Sequence, residues 1–310
     1  MPDKPTPLFC AIDVGSHTVK LRLARRGPDN SWALARERII ITKLGHHLGR
    51  TGRLDPDGGR KSLEAIGEFL AEARGLGAQD VAMVGTMALR QAADGAQFVC
   101  QVEQATGLSL TIISGLEEAR LTYLGAMSSL LCREDQSAPT LVFDIGGAST
   151  ELAWGSGHAP DGRLSLAVGS ISLTEFHGLQ GAVTSDVVKT AMIQVSAMLA
   201  DIEVAPGRLV GIGATPASLV ALEQQRDLAD GQEVHGQILH PESVTRWLAA
   251  LAKLEEPARR QLAGLHPERA PVILGGTIIV AAMFQRWPGI EMIISSCGLR
   301  QGILADRFAE

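Results

Sequence analysis

The sequence predicts an α/β protein of two domains with mixed sheets flanked by helices, and three observations support this. The chain has 310 residues, the length of about two domains of ~100–200 residues each. Strand patterns and helical patterns are interspersed in both halves. A similar strand–turn–strand segment also occurs in each half. We expect domains over 1–133 and 134–310, with the active site in the cleft between them.

The repeated segment is a β-hairpin with an acid at the end of its first strand. In the first half, an apolar strand ends at Asp13, and a turn at Gly15 and Ser16 leads into an alternating second strand. In the second half, Asp144 ends an apolar run and is followed by a turn that contains Gly146. The two acids are 131 residues apart (144 minus 13), about one domain length, which indicates a duplicated architecture.

Apolar periodicity predicts the elements around these hairpins. Apolar residues recur at helical spacing before Gly75 and predict a helix over 54–76. The other predicted helices are 98–105, 116–130, 185–202, 215–223, 241–253, 271–284 and 298–308, and the other predicted strands are 81–84, 110–113, 164–168, 209–212 and 290–295. The polar stretch 132–139 is the predicted linker. We expect the terminal helix, about 298–310, to pack back on the first domain.

Composition excludes several classes of function. The formal net charge is -6, whereas a nucleic-acid binder has a basic domain. Aromatic residues make up 4% of the chain, too few for an aromatic-lined carbohydrate or single-strand-binding surface. The 34 glycines in 310 residues exceed the usual ~7%. Without a collagen period, they indicate tight turns or backbone that lies close to a ligand.

The cellular location is inferred from the cysteines and the apolar runs. The 4 cysteines are scattered without metal-ligand spacing, which is typical of reduced thiols in a cytoplasmic protein. The N-terminus has no targeting pattern, and the longest apolar run, 271–284, is too short to cross a bilayer and predicts a buried helix. We therefore expect a cytoplasmic protein with no membrane and no nucleic-acid partner.

The second hairpin has the groups that a metal-bound phosphate needs. A buried strand delivers Asp144, and two glycines turn backbone N–H groups outward into an anion nest. Ser149 and Thr150 add hydroxyl donors, and Glu151 adds a second acid. Acids beside a phosphate cradle fit a Mg²⁺ ion between them, because hard cations take oxygen ligands. The alternative is an ordinary tight hairpin whose aspartate caps its own turn.

If the turn of the second hairpin faces the turn of the first hairpin across a cleft, the two turns form a two-sided phosphate clamp. That arrangement resembles the actin-like ATPase and sugar-kinase superfamily, so an ATP-dependent phosphotransferase is an alternative function. Two further acids, Glu117 and Glu118, follow a strand at the start of a helix. Their side chains are about 100° apart on that helix, so one at most faces the cleft. Acids in a first turn also favour the helix dipole without any catalytic role.

Six segments occur in the order AIDVGSHTVKLRLA, GTMALRQA, IISGLEEARLTYLGA, FDIGGASTEL, AVGSISLTEF and SCGLRQGI. This series resembles the exopolyphosphatases and guanosine pentaphosphate phosphohydrolases of the Ppx/GppA phosphatase family. The resemblance runs from about residue 9 to 306 and implies two actin-like (ribonuclease H-like) domains. Longer members continue into an additional helical domain, so we expect the short form of the family.

The resemblance implies Mg²⁺-dependent hydrolysis of the terminal phosphate of inorganic polyphosphate or of guanosine pentaphosphate by a homodimer. It implies that Glu118 activates the attacking water and that Asp13, Asp144 and Glu151 are the metal-associated acids. The positions it assigns to phosphate binding are Gly15, Ser16, His17, Lys20, Arg90, Gly146, Gly147, Ala148, Ser149 and Arg300. No residue of the sequence selects between the two substrates by reading a guanine base.

Several positions depart from the pattern of the family. His17 and Lys20 replace the usual asparagine and arginine, and lysine keeps the charge but loses the bidentate fork. Ala148 and Ala214 stand at glycine positions, where alanine is strained if the backbone needs a positive φ. Asp94 replaces an asparagine and adds negative charge near a polyanion site. A catalytically weakened nucleotide- or polyphosphate-binding sensor is therefore an alternative.

An acidic protein captures a polyanion only where positive charge is concentrated near the site. The segment Lys43–Arg53 contains lysine, two histidines and two arginines. It is either a solvated loop or part of a substrate channel. In a channel, replacing Arg50 and Arg53 together weakens the binding of long polyphosphate more than that of short polyphosphate.

Overall fold

The computed structural model describes residues 6–28, 30–130, 139–226 and 234–308. The chain divides into two compact units, one formed by Met1–Gly125 with Leu299–Glu310 and the other by Ala126–Gly298. The predicted domain boundary at residues 133 and 134 and the predicted linker up to residue 138 lie outside the described residues. Each unit has its own sheet.

The helices and strands of the described chain follow the predicted order. The strands are β1 (Leu8–Val14), β2 (Thr18–Arg26), β3 (Trp32–Ile41), β4 (Asp80–Gly85), β5 (Leu110–Ile112), β6 (Thr140–Ile145), β7 (Thr150–Gly155), β8 (Gly162–Leu166), β9 (Arg208–Ile212), β10 (Ile238–Leu239) and β11 (Met292–Ile294). The helices are α1 (Leu48–Thr51), α2 (Pro56–Gly75), α3 (Met87–Gln91), α4 (Gly95–Thr106), α5 (Gly115–Leu130), α6 (Ser170–His177), α7 (Ser185–Leu199), α8 (Ala214–Gln224), α9 (Pro241–Leu251), α10 (Glu256–Arg259), α11 (Ile273–Arg286) and α12 (Leu299–Arg307). Each element predicted from periodicity is present, with ends within about three residues of those expected.

The two sheets share one strand order. The first sheet has the order β3-β2-β1-β4-β5, in which the first three strands are antiparallel and the last two join in parallel. The second sheet repeats this order as β8-β7-β6-β9-β11 and adds β10 at its edge. Both sheets are therefore mixed and flanked by helices. This confirms the predicted fold class and the predicted duplication.

The first sheet is covered by helices on both faces. One face packs on α2, whose Ile66 lies in a core with Ile12. The opposite face packs on α12, whose Ile303 lies in a core with Ala11. Successive residues of a strand point to opposite faces, so Asp13, two residues beyond Ala11, lies on the α12 face. The terminal helix thus packs beside the strand that delivers the first candidate acid.

The core of the second unit is built around α11. Its residues from Ile273 to Val280 are all buried, and the helix packs against α6, α7, α8 and α9. The apolar run 271–284 therefore forms a buried helix, as its composition predicted. Among the described residues, no helix has the length and apolar character needed to cross a membrane.

Two elements that hold the site lacked a periodic signal. β3 is an edge strand with the charged residues Arg36, Glu37 and Arg38 in its middle. α6 has 8 residues and buries Ser170, Leu173 and Thr174, which is too short and too polar a pattern to predict a helix. Tertiary contacts decide the structure of both elements.

Candidate active site

The first predicted phosphate-binding turn lies between β1 and β2. The Gly15 N–H donates to Thr18 O at 3.0 Å, and a Cβ on Gly15 would lie 3.2 Å from that oxygen. The Ser16 carbonyl accepts a hydrogen bond from Gly45 N at 2.8 Å, and the His17 carbonyl accepts two from the same loop, each at 3.0 Å. In a trans peptide the carbonyl and the next N–H point in opposite directions. The N–H groups of His17 and Thr18 therefore point away from that loop.

The second turn, between β6 and β7, is held in the same way. The Gly146 N–H donates to Ser149 O at 2.9 Å. The Gly146 carbonyl accepts from Ser170 N at 3.0 Å and from Ser170 Oγ at 3.1 Å. The Gly147 carbonyl accepts from Ile171 N at 2.8 Å. The start of α6 thus occupies the carbonyl side of this turn.

The opposite side of the second turn presents consecutive N–H groups. Because their preceding carbonyls face α6, the N–H groups of Gly147 and Ala148 point away from that helix. Together with the Ser149 N–H, they donate to no group in the part of the chain that is described. A run of such amides is an anion-binding nest. Gly146, Gly147, Ala148 and Ser149 thus form one turn, and their role in phosphate binding stays a prediction.

The two alanines at glycine positions are not strained. Neither Ala148 nor Ala214 has a positive φ, so the condition under which alanine would be costly does not arise. The loop after β9 requires glycine one position earlier, at Gly213, where φ is 98°. A Cβ on Gly213 would lie 2.8 Å from Asp144 Oδ1 and 2.8 Å from Ile145 O. The absence of a side chain there leaves room beside the Asp144 carboxylate.

The acids of the second hairpin, Asp144 and Glu151, lie directly opposite each other on β6 and β7. Glu151 is 2% exposed and accepts a hydrogen bond from Ser165 Oγ at 2.8 Å. Like charges in opposed positions destabilise a sheet, and a cation would turn their repulsion into attraction. No group of three or more His, Cys, Asp or Glu side chains suited to a metal occurs among the described residues. Two carboxylates fit Mg²⁺, which completes its coordination with water and substrate phosphates.

The equivalent pair in the first hairpin has opposite charges. Asp13 lies opposite Lys20 on β1 and β2, and Lys20 Nζ is 3.4 Å from Asp13 Oδ2. The Asp13 side chain is 6% exposed, and its buried Oδ1 has no hydrogen-bond partner among the described residues. A buried polar atom without a partner is costly. An oxygen of this kind suits a metal ion or a metal-bound water, and the metal role of Asp13 stays a prediction.

The two acids at the start of α5 have different partners. Glu118 is 9% exposed, and its Oε2 accepts a hydrogen bond from Arg90 Nη1 at 2.8 Å. Arg90 Nη1 also donates to Ile113 O at 2.8 Å. Glu117 instead pairs with Arg120 at 2.8 Å. The structure therefore joins two residues that have separate predicted roles, and Arg90 fixes one carboxylate oxygen of Glu118.

The Arg300 guanidinium contacts β2 and β3 within the first unit. Its Nη1 donates to Leu21 O at 3.1 Å, and its Nη2 lies 2.5 Å from Glu37 Oε1. Arg22 Nη1 is 3.5 Å from the same Glu37 oxygen. These contacts tie α12 to β2 and β3. The predicted contact of Arg300 with phosphate stays a prediction.

Three residues of the site had no predicted role. Ser170 caps the second turn, Ser165 holds Glu151, and Glu37 holds Arg300. The signal for Ser170 was available, because AVGSISLTEF is one of the segments that resemble the family. A Cβ on the preceding Gly169 would lie 2.6 Å from Ala148 N, so glycine permits this close approach. Glu37 and Ser165 carry no pattern that distinguishes them from surface residues.

The fold and the two turns together define a class of protein. Two sheets of one strand order, each with an acid and a phosphate-type turn after its first strand, identify the actin-like ATPase fold. The sequence pattern of the Ppx/GppA phosphatase family matches residues 28–310. The chain belongs to this family, which confirms the resemblance.

Known relatives match along almost the whole chain. An Aquifex aeolicus member of the Ppx/GppA family has 29% sequence identity and a TM-score of 0.86, and the match covers 98% of each chain. An exopolyphosphatase-like protein has 25% identity and a TM-score of 0.88 over 98% of each chain. A guanosine-5'-triphosphate,3'-diphosphate pyrophosphatase of Vibrio cholerae is 27% identical over 306 residues, which are 97% of this chain and 59% of that protein. This chain thus spans about half the length of the curated relatives, 45% and 59% for two of them.

Proposed function

We propose that the protein is a phosphohydrolase that removes the terminal phosphate of inorganic polyphosphate or of guanosine pentaphosphate. The main support is the turn at 146–149, whose carbonyls contact the start of α6 and whose successive N–H groups point the other way. Such a nest binds a phosphate group regardless of what the phosphate is attached to. Family membership and the names of the two relatives above support this substrate class.

The residues of the site have distinct tasks in this reaction. The N–H groups of Gly147, Ala148 and Ser149 bind the oxygens of a phosphate group and fix its orientation. Glu118, held at Oε2 by Arg90, orients a water molecule and accepts its proton. The water oxygen bonds to the terminal phosphorus as the bond from that phosphorus to the bridging oxygen breaks. Inorganic phosphate and a substrate shorter by one phosphate are the products.

Asp144 and Glu151 would hold the Mg²⁺ ion through their carboxylate oxygens. When bound, Mg²⁺ neutralises charge on the phosphate oxygens. The protein contributes the fixed geometry of the two acids, which lie opposite each other on neighbouring strands. Ser165 orients Glu151, and Gly213 leaves space beside Asp144.

The proposed function is tested by measuring phosphate release from polyphosphate, guanosine pentaphosphate and ATP, each with and without Mg²⁺. Mg²⁺-dependent release from either of the first two substrates is the expected result. Two other outcomes contradict the proposal. Sugar-dependent formation of ADP would identify a phosphotransferase, and binding of polyphosphate without any release would identify a sensor.

Replacing Ala148 by glycine is expected to change little. Because Ala148 has no positive φ, glycine relieves no strain, and it lowers the free energy of unfolding by about 0.4–1 kcal/mol through the entropy of the unfolded chain. We expect phosphate release within about threefold of wild type, since the nest uses backbone N–H groups. Urea unfolding and the release assay measure both effects. A large gain in activity would show instead that the Ala148 methyl group obstructs the phosphate and weakens catalysis.

A further inference from the structure

We propose that Lys43 and Arg50 form a second anion-binding subsite beside the first turn, and that this subsite binds the non-terminal phosphates of inorganic polyphosphate. The proposal rests on the proposed function. Of the two substrate classes named there, it assigns the subsite to polyphosphate. Both residues belong to the basic segment, Lys43–Arg53, and the contacts, the shape and the charge of this segment support the subsite.

The basic segment starts in contact with the first turn. The N–H groups of Thr42 and Lys43 both donate to His17 O at 3.0 Å, and the Gly45 N–H donates to Ser16 O at 2.8 Å. A Cβ on Gly45 would lie 3.1 Å from Ser16 Cβ. The backbone of Lys43 therefore lies directly beside the turn. A substrate with one phosphate bound at this turn has its neighbouring phosphates within reach of the segment.

The basic segment has a fixed shape. Leu44 and Leu48 are buried in the core of the first unit, and a Cβ on Gly58 of α2 would lie 2.7 Å from Lys43 O. Lys43 and His47 have φ values of 59° and 59°, a left-handed conformation that residues with a side chain rarely adopt. Such strain persists only where the surrounding structure imposes it, and it is concentrated at functional sites. The segment is thus anchored to the core, unlike a freely solvated loop.

Arg53 already has a partner within the first unit. Its Nη2 lies 3.4 Å from Asp94 Oδ2, and Asp94 Oδ1 accepts a hydrogen bond from Leu54 N at 3.0 Å. The negative charge that Asp94 adds is therefore balanced within the basic segment. Replacing Arg53 would therefore also disturb the structure of the loop, so the test below leaves Arg53 unchanged. The effect of replacing Arg50 and Arg53 together stays a prediction.

The charge that remains for a ligand is that of Lys43 and Arg50. His46 Nδ1 lies 3.9 Å from Asp55 Oδ2, and His46 and His47 contact each other with ring centroids 3.6 Å apart. Lys43 and Arg50 are both exposed and form no ion pair within the described ranges of the chain. On a protein with a net charge of -6, two such cations in a segment that contacts the first turn create the local positive field that a polyanion needs.

Inorganic polyphosphate fits this charge distribution. It carries negative charge on every phosphate along its length, so a second subsite binds it in addition to the terminal group. Each exposed charge contact contributes about 0.2–1 kcal/mol. At the middle of this range, about 0.6 kcal/mol each, Lys43 and Arg50 together account for about a five- to tenfold difference in the affinity for long chains.

The experiment compares the dissociation constants of long polyphosphate and tripolyphosphate, measured by titration calorimetry with Mg²⁺. The parent is Glu118→Gln, in which turnover is suppressed. The test variant adds Lys43→Asn and Arg50→Gln, because asparagine tolerates the left-handed conformation at residue 43. The matched control adds Lys253→Asn and Arg74→Gln, two exposed positions that are not part of the basic segment.

The expected result is a rise of about five- to tenfold in the dissociation constant for long polyphosphate in the test variant. The value for tripolyphosphate should stay within about twofold, and the control should match the parent. An equal rise for both ligands, an equal rise in the control, or no binding of long polyphosphate by the parent overturns the subsite. If the test variant does not fold, Arg50→Gln alone gives the same comparison with a smaller rise. Failure of the wild type to release phosphate overturns the proposed function. The comparison of dissociation constants measures binding and tests the subsite independently of phosphate release.

Discussion

The Glu118→Gln variant is expected to release phosphate about 10²–10⁴-fold more slowly than the wild type at saturating substrate, because general base catalysis contributes this much. Glutamine keeps the shape of the side chain and an oxygen that accepts from Arg90, which lies 2.8 Å from Glu118 Oε2. It cannot accept a proton from water near neutral pH. The loss should therefore fall on kcat, with KM almost unchanged, since the change acts in the transition state.

The neighbouring acid provides the matched control for this prediction. Glu117→Gln is the same chemical change on the same helix, but Glu117 pairs with Arg120 in a part-exposed contact. Its loss should change kcat by less than about threefold, because exposed ion pairs contribute only ~0–1 kcal/mol. Stopped-time phosphate assays and thermal unfolding of both variants complete the test. Equal losses in the two variants, or a normal kcat in Glu118→Gln, would exclude Glu118 as the base.

The sequence determined the hairpins and most other elements because their signals are local. Asp13 and Asp144 each end an apolar strand and precede a glycine turn, and the structure places both acids at the predicted positions. The pairing of Glu118 with Arg90 could not be derived in this way. It depends on the packing of α3 beside the start of α5, which no local periodicity encodes.

The contacts of Arg300 and of the second turn also could not be predicted from local patterns, because they join residues that are far apart in the sequence. Arg300 contacts Glu37 on the edge strand β3. The charged residues in the middle of β3 interrupt the apolar alternation from which a strand is predicted. Ser170 reaches the Gly146 carbonyl from a helix that is too short to be predicted. In both cases the partner is distant in sequence, and its position follows from the assembled sheet and not from neighbouring residues.

The Glu151→Gln variant is expected to lose activity and to gain stability in the absence of metal. Wild-type Glu151 is 2% exposed and lies opposite Asp144, so neutralising it removes the repulsion between two acids on neighbouring strands. The free energy of unfolding in EDTA should rise by about 0.2–1 kcal/mol. Phosphate release should fall by about 10²-fold or more, because metal-ion stabilisation of the transition state is worth several kcal/mol.

Titration with Mg²⁺ separates this explanation from a simple loss of structure. A ligand that binds the native state stabilises it by about 2.7 kcal/mol at 100 times its dissociation constant, so Mg²⁺ should raise the Tm of the wild type and raise that of Glu151→Gln much less. Glu203→Gln, the same change at an exposed position of the second unit, should behave as the wild type in both measurements. A Glu151→Gln variant that is less stable in EDTA, or that responds normally to Mg²⁺, would show that Glu151 has a structural role and holds no metal. If Glu151 is a metal ligand, Glu151→Gln lowers phosphate release and raises the free energy of unfolding in EDTA. The two effects differ in direction because the opposed carboxylates destabilise the metal-free fold and become favourable only when the cation is bound.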